Sequence, residues 1–128
     1  MVKTPADKWK DAILKYRRQC QNILKLSKNI RYAGVINVYG RTLTGIVRPD
    51  LKPLLKSEQV KNEFFIISTL MSLRKDTAIT VGKLEHVVLQ HQKVILVILQ
   101  KNNITYYISI NRKEKSLEKI ISSIKKII

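Results

Sequence analysis

Apolar residues recur at helical spacing in three stretches of the chain and cluster in β-type runs between them. The first helix is predicted from near Pro5 to about Ser27. Trp9, Ala12, Ile13, Tyr16, Cys20, Ile23 and Leu24 fall within an arc of about 120°, while Lys8, Lys10, Lys15, Arg17, Arg18, Lys25 and Lys28 lie outside it. Thr4 suits the N-cap, Pro5 the first helical position and Asp7 the positive first turn. A last helix is predicted from near Ser116. Its Leu117, Ile120, Ile121, Ile124, Ile127 and Ile128 make one stripe opposite Lys119, Lys125 and Lys126.

The middle helix, Val60–Leu73, differs from both. Val60, Phe64, Ile67 and Met71 form one stripe, but Phe65, Ile66 and Leu73 point well away from it, with Leu70 between. Ser68, Thr69 and Ser72 are small, and no charge falls between Glu63 and Arg74. A monomer's surface helix normally buries one stripe and charges the other. Either this helix is fully enclosed in its own domain or a second surface covers its outer side. In a chain of this length few segments remain to enclose it.

The β-type runs place the helices. Val35–Val38 and Leu43–Val47 read as strands joined by a turn at Tyr39-Gly40-Arg41, with Gly40 free to adopt positive φ. Gly34 and Gly45, inside the strands, leave room for close approach of another backbone or helix. Leu51, Leu54 and Leu55 are expected to tuck a loop onto the core. Leu84–Gln90, Lys93–Leu99 and Ile104–Ile110 follow as antiparallel strands with short connections at His91-Gln92 and Lys101–Asn103. The unbroken apolar run Val94–Leu99 predicts a strand covered on both faces, in the middle of the sheet. The order is α-β-β-α-β-β-β-α. It predicts one α+β domain over 1–128, a single five-stranded antiparallel sheet with helices on both faces.

Composition narrows the partners. The chain has 128 residues, 45% of them hydrophobic, enough for a packed core. Lys and Arg number 25 against 9 Asp and Glu, a net charge of +16. Residues 1–31 hold nine basic and two acidic residues and 102–128 hold six and two, whereas 57–76 hold three of each. The cations therefore flank a neutral middle helix, which suits contact between identical subunits without like-charge repulsion. The terminal excess favours an anionic partner such as nucleic acid or an anionic surface; the competing reading is a merely solvated face. No apolar run reaches the ~20 residues of a membrane span. The first residues lack a signal-peptide core, and a single cysteine, Cys20, suits a reducing compartment. The expected location is the cytoplasm.

The element order, with the hairpin Ala33-Gly34-Val35-Ile36 … Gly40-Arg41-Thr42-Leu43, resembles the roadblock/LC7 (dynein light chain-like) family over about residues 8–128. Ile30–Ile36, Lys52-Pro53-Leu54 and Leu73-Arg74-Lys75 are also similar to a family of short archaeal proteins, a likeness that brings no activity with it. The roadblock resemblance implies a homodimer paired through the central helix and the strand after it. Here those positions are Phe65, Ile66, Thr69, Leu73, Val87 and Leu89, within the strand Glu85–Gln90. It also implies an adaptor or scaffold role, with small GTPases among the partners. In that fold the first and last helices lie together, so Lys8, Lys15, Arg17, Arg18, Lys25, Lys119, Lys125 and Lys126 would share one basic surface.

Reaction chemistry is not legible. The four glycines, at 34, 40, 45 and 82, make no phosphate-cradling loop, and Gly82-Lys83 is followed by Leu84. His86 and His91 are five apart on a predicted strand and should face opposite ways. With one distant cysteine they make no metal set. No nucleophile elbow is present. The sequence thus predicts no enzyme, cofactor or metal. It offers two functions: a dimeric protein-interaction module, and a basic binder of nucleic acid or an anionic surface.

Overall fold

The computed structural model describes residues 2–128. The elements are α1 (Pro5–Leu24), β1 (Ile30–Ile36), β2 (Thr42–Val47), α2 (Ser57–Leu73), a 3-10 turn (Arg74–Thr77), α3 (Ala78–Val81), β3 (Val87–Gln90), β4 (Val94–Lys101), β5 (Ile104–Asn111) and α4 (Leu117–Ile127). The predicted order holds, with one addition: the short Arg74–Val81 helical segment, which no apolar period marks. β1 begins five residues before the predicted Val35, and β3 starts at Val87, later than Leu84.

The five strands form one antiparallel sheet in the order β2-β1-β5-β4-β3. The central strand is therefore β5, not the continuously apolar run, which is β4 and lies one place from the edge. Coverage of β4 on both faces does hold, with Ile95 through Leu99 all buried. Strand alternation sorts these side chains. Ile95, Val97 and Leu99, with Tyr106, Ile108 and Ile110 of β5, pack beneath α1 and α4 against Cys20, Ile23, Ile120, Ile121 and Ile124. Leu96, Ile98 and Tyr107 point the other way, to Phe64, Ile67 and Met71 of α2. A bulge between Ile30 and Tyr32 changes the phase of β1 and turns Ile30 toward α1.

Local chemistry sets the ends. Thr4 Oγ1 accepts from Asp7 N at 3.2 Å and Asp7 Oδ2 accepts from Thr4 N at 3.2 Å, a reciprocal cap for α1. Asn37 Oδ1 accepts from the amides of Tyr39 and Arg41 at 2.9 and 3.0 Å and shapes the first hairpin turn. Gly40 in that turn has φ +80°. A Cβ there would also lie 2.8 Å from the Phe64 carbonyl oxygen, so the turn presses on α2. Asn102 and Asn103 both have positive φ, as a two-residue hairpin requires.

Two expectations fail at the surface. Trp9 belongs to the apolar arc of α1 yet is 56% exposed, as every residue of the first two turns of α1 is exposed. Leu54 and Leu55 do not tuck in; both are exposed and Leu51 is half-buried.

Arg48, just after β2, closes the far end of α1. Its Nε donates to the Ile30 carbonyl at 2.7 Å, and one Nη donates to the carbonyls of Leu24 and Ser27 at 2.5 and 2.8 Å. The last turn of α1 has no basic residue of its own, so a cation from a distant strand meets its negative end. Glu114 supports the same corner. It accepts from the Ser27 hydroxyl, Ser116 N and Asn29 Nδ2, which together hold its carboxyl below the usual range.

Arg48→Ala removes three hydrogen bonds to backbone carbonyls, of which only Ser27's keeps another donor, Ile30 N at 3.2 Å. A loss of about 1.5–3 kcal/mol is expected in urea unfolding, with Arg48→Lys recovering only part because an ammonium lacks the planar fork.

Candidate interaction surfaces

The central helix is two-sided. Its inner residues Phe64, Ile67, Ser68 and Met71 are buried. The Phe64 ring meets Tyr107 edge-on at 4.9 Å between centroids and Tyr32 at 6.4 Å. The outer residues Phe65, Ile66 and Leu73 are 63%, 59% and 62% exposed. Thr69 is exposed between them, and its hydroxyl, like that of Ser68, donates to the Phe65 carbonyl at 2.9 Å. Both hydroxyls thus have partners within the helix, and the outer face is apolar in effect. Ile79 and Val81 of α3, beyond the charged Arg74-Lys75-Asp76, are exposed as well.

β3 is the sheet's outer edge beyond β4. Val87 and Leu89 are half-buried and pack beneath α2 in their own subunit. What β3 leaves outward is its backbone edge, together with the partly exposed Val88. Its sequence Val87-Val88-Leu89-Gln90 contains neither charge nor proline, the usual guards of a free edge.

The other face of the sheet carries the basic residues of α1 and α4. α1 and α4 share one core there, and Gln19 Nε2 donates to the Ile127 carbonyl at 3.5 Å. Lys8, Lys15, Arg17, Arg18 and Lys25 on or after α1 are exposed, as are Lys119, Lys125 and Lys126 on α4. Arg17 leans toward β2, its Nη1 3.5 Å from Thr44 Oγ1. The single ion pair among the described residues is Lys3–Asp11 at 2.5 Å, so these cations have no carboxylate partners there.

The buried thiol and phenols are held toward their neutral forms. Burial pushes the Cys20 thiol up to about 11, and the Tyr32 hydroxyl up to about 12. Burial and the neighbouring Glu63 raise Tyr107 further; its hydroxyl donates to Glu63 Oε2 at 3.4 Å. Tyr106, raised by burial to about 12, donates to Gln19 Oε1 at 2.6 Å. No three His, Cys, Asp or Glu side chains converge as a metal site among the described residues. No helix among them is long and apolar enough to cross a membrane.

One feature has no signature in the sequence pattern. A groove of about 800 Å³ opens beside the first half of α2, over Tyr32, Leu96 and Tyr107 and under the Leu51–Leu55 loop. The leucines expected to enter the core line it instead.

No protein-family model matches the chain, and no curated protein sequence matches it. Solved structures do. The gliding protein MglB from Thermus thermophilus superposes with TM-score 0.67 at 10% identity, over 90% of this chain and 89% of that one. A structure of MglB with a tetrameric arrangement gives 0.65 at 12%, over 88% and 89%. A roadblock/LC7 domain from Streptomyces avermitilis gives 0.59 at 12%, over 85% and 93%. The fold is of the roadblock/LC7 type.

The two sides of α2 should respond differently to charge. Ile67→Asp is expected to abolish folding, since an unpaired carboxylate would replace a buried side chain. Ile66→Asp, one position earlier, should keep the native far-UV circular dichroism.

Proposed function

We propose that this chain is a non-enzymatic, dimeric protein-interaction module, an adaptor or scaffold whose two copies pair through the outer face of α2 and the free edge of β3. The observation that carries the reading is the exposure of Phe65, Ile66 and Leu73 on a helix with no charge between Glu63 and Arg74. Single exposed apolar residues are ordinary, but a contiguous uncharged face beside an unguarded strand edge marks an interaction site. Pairing there also suits the charge. α2 lies opposite α1 and α4, so two subunits of net charge +16 meet through neutral surfaces and keep their basic faces apart. The tetrameric arrangement of one MglB structure supports self-association within this fold. Following the resemblance, the paired module would present a small GTPase or another protein to a larger assembly.

Sedimentation at micromolar concentration is expected to give a dimer, and Ile66→Asp or Leu73→Glu a folded monomer. A wild-type monomer at every accessible concentration would overturn the reading. Capture of a small GTPase from native extract by the dimer, lost in the Leu73→Glu variant, supports the adaptor role; a GTPase captured equally by both opposes it.

A second reading rests on the paired α1 and α4, whose candidate cations are exposed and have no carboxylate partner among the described residues. It makes this face a binder of phosphate backbones without sequence preference, in nucleic acid or an anionic surface. Binding should weaken steeply as salt rises, and further in Arg17→Gln/Arg18→Gln/Lys125→Gln. No binding to duplex DNA, RNA or anionic vesicles at low salt would rule it out.

A further inference from the structure

We infer that the groove beside α2 is a binding site for a small amphipathic anion, an aliphatic or aromatic body ending in a carboxylate or comparable acid. The site arises because α2 packs over β3, β4 and β5, against Val87, Leu96, Ile98 and Tyr107. α2 also meets Ile36 at the end of β1, and the groove opens between α2 and the hairpin side chains Tyr32, Thr42 and Val47. There the side chain of Tyr32 lies flat over Gly34 and Gly45. A Cβ at Gly34 would stand 2.6 Å from its Cε1, and one at Gly45 2.9 Å from its Cζ. The two glycines thus let an aromatic ring serve as floor. Above it, Leu51, Leu54, Leu55 and Val60 form a wall whose apolar surface remains partly open to water. At about 800 Å³ the groove is within the range of small-molecule sites, apolar with a few polar groups at its margin.

The margin selects the charge. Arg31, Lys52 and Lys93 stand on it, against one acid, Glu63. Arg31 is fixed, one Nη donating to the Lys52 carbonyl at 3.0 Å, which also holds the leucine loop in place. Lys52 and Lys93 have no carboxylate partner among the described residues. Glu63 is engaged by the Tyr107 hydroxyl. An apolar body on the Tyr32 floor would cover the exposed leucines, with its acid group in reach of the lysines. The groove lies on the inner flank of α2, apart from Phe65, Ile66 and Leu73, so this inference does not depend on dimerisation.

The test is calorimetric titration with hexanoate, octanoate and decanoate below their aggregation limits. One ligand per chain is expected, tightening about threefold to fourfold for each added methylene. Decanol should bind several-fold more weakly than decanoate, and decyltrimethylammonium more weakly still. Lys52→Glu/Lys93→Glu, both exposed, should erase the preference for the anion, and Leu54→Asp should weaken every ligand. Lys119→Glu/Lys125→Glu, on the opposite face, should change neither, and Ile66→Asp should bind like the wild type. No saturable binding, equal affinity for anion and cation, or equal loss in the two charge-reversed pairs would overturn the proposal.

Discussion

The two faces of the sheet are covered unequally, and most of what distinguishes this chain follows from that. A helix with its side chains is about 10 Å across, and strands lie about 4.8 Å apart. Two helices therefore match the breadth of five strands, and one does not. On one face α1 and α4 do the covering, and the buried side chains there form the larger of the two clusters. On the other face α2 stands alone with the smaller one. Its residues must seal parts of four strands, while Phe65, Ile66 and Leu73 on its outer side have nothing from this chain above them. The apolar outer side of α2 and the open groove beside it are two results of the same shortage of helix.

The chain compensates locally where it has no helix to spend. Tyr32 turns its ring onto the sheet, and Gly34 and Gly45 leave the space in the strands that admits it. Phe64 and Tyr107 extend that aromatic surface to the base of α2. Arg48 works at a different scale. By satisfying carbonyls of Leu24, Ser27 and Ile30, it fixes the corner where α1 hands over to β1. The same corner is supported from α4's side by Glu114, so the two helices on the well-covered face are tied at the chain turns as well as through their core.

Much of this is legible in the sequence, and the parts that are not share a cause. Period and caps mark α1, α2 and α4, and the two-sided character of α2 can be read from Phe65, Ile66 and Leu73 alone. Strand rank is misjudged because an unbroken apolar run reports coverage of both faces, not distance from the edge; β4 meets that condition one place from the rim, while β5 holds the centre with Thr105 and Ser109 in its sequence. Leu54 and Leu55 miss the core because hydrophobicity says what a side chain prefers, not whether the fold offers it a place. Trp9 fails likewise, since nothing in the fold covers the first two turns of α1. Gly34 and Gly45 promise close approach, but nothing in the pattern names Tyr32 as the group that comes close. The groove is invisible for the same reason: it is defined by where α2 does not lie. The roles of the outer α2 face and the basic residues are matters of partners, which one chain's pattern does not contain.

The central claim is that the outer side of α2 and the edge of β3 become buried together when two copies meet. Amide hydrogen exchange followed across protein concentration tests it most directly. The account predicts that peptides covering Phe65–Leu73 and Val87–Gln90 gain protection together as concentration rises, while peptides from α1 and α4 do not change. Exchange in α2 and β3 that is the same at every concentration would contradict it.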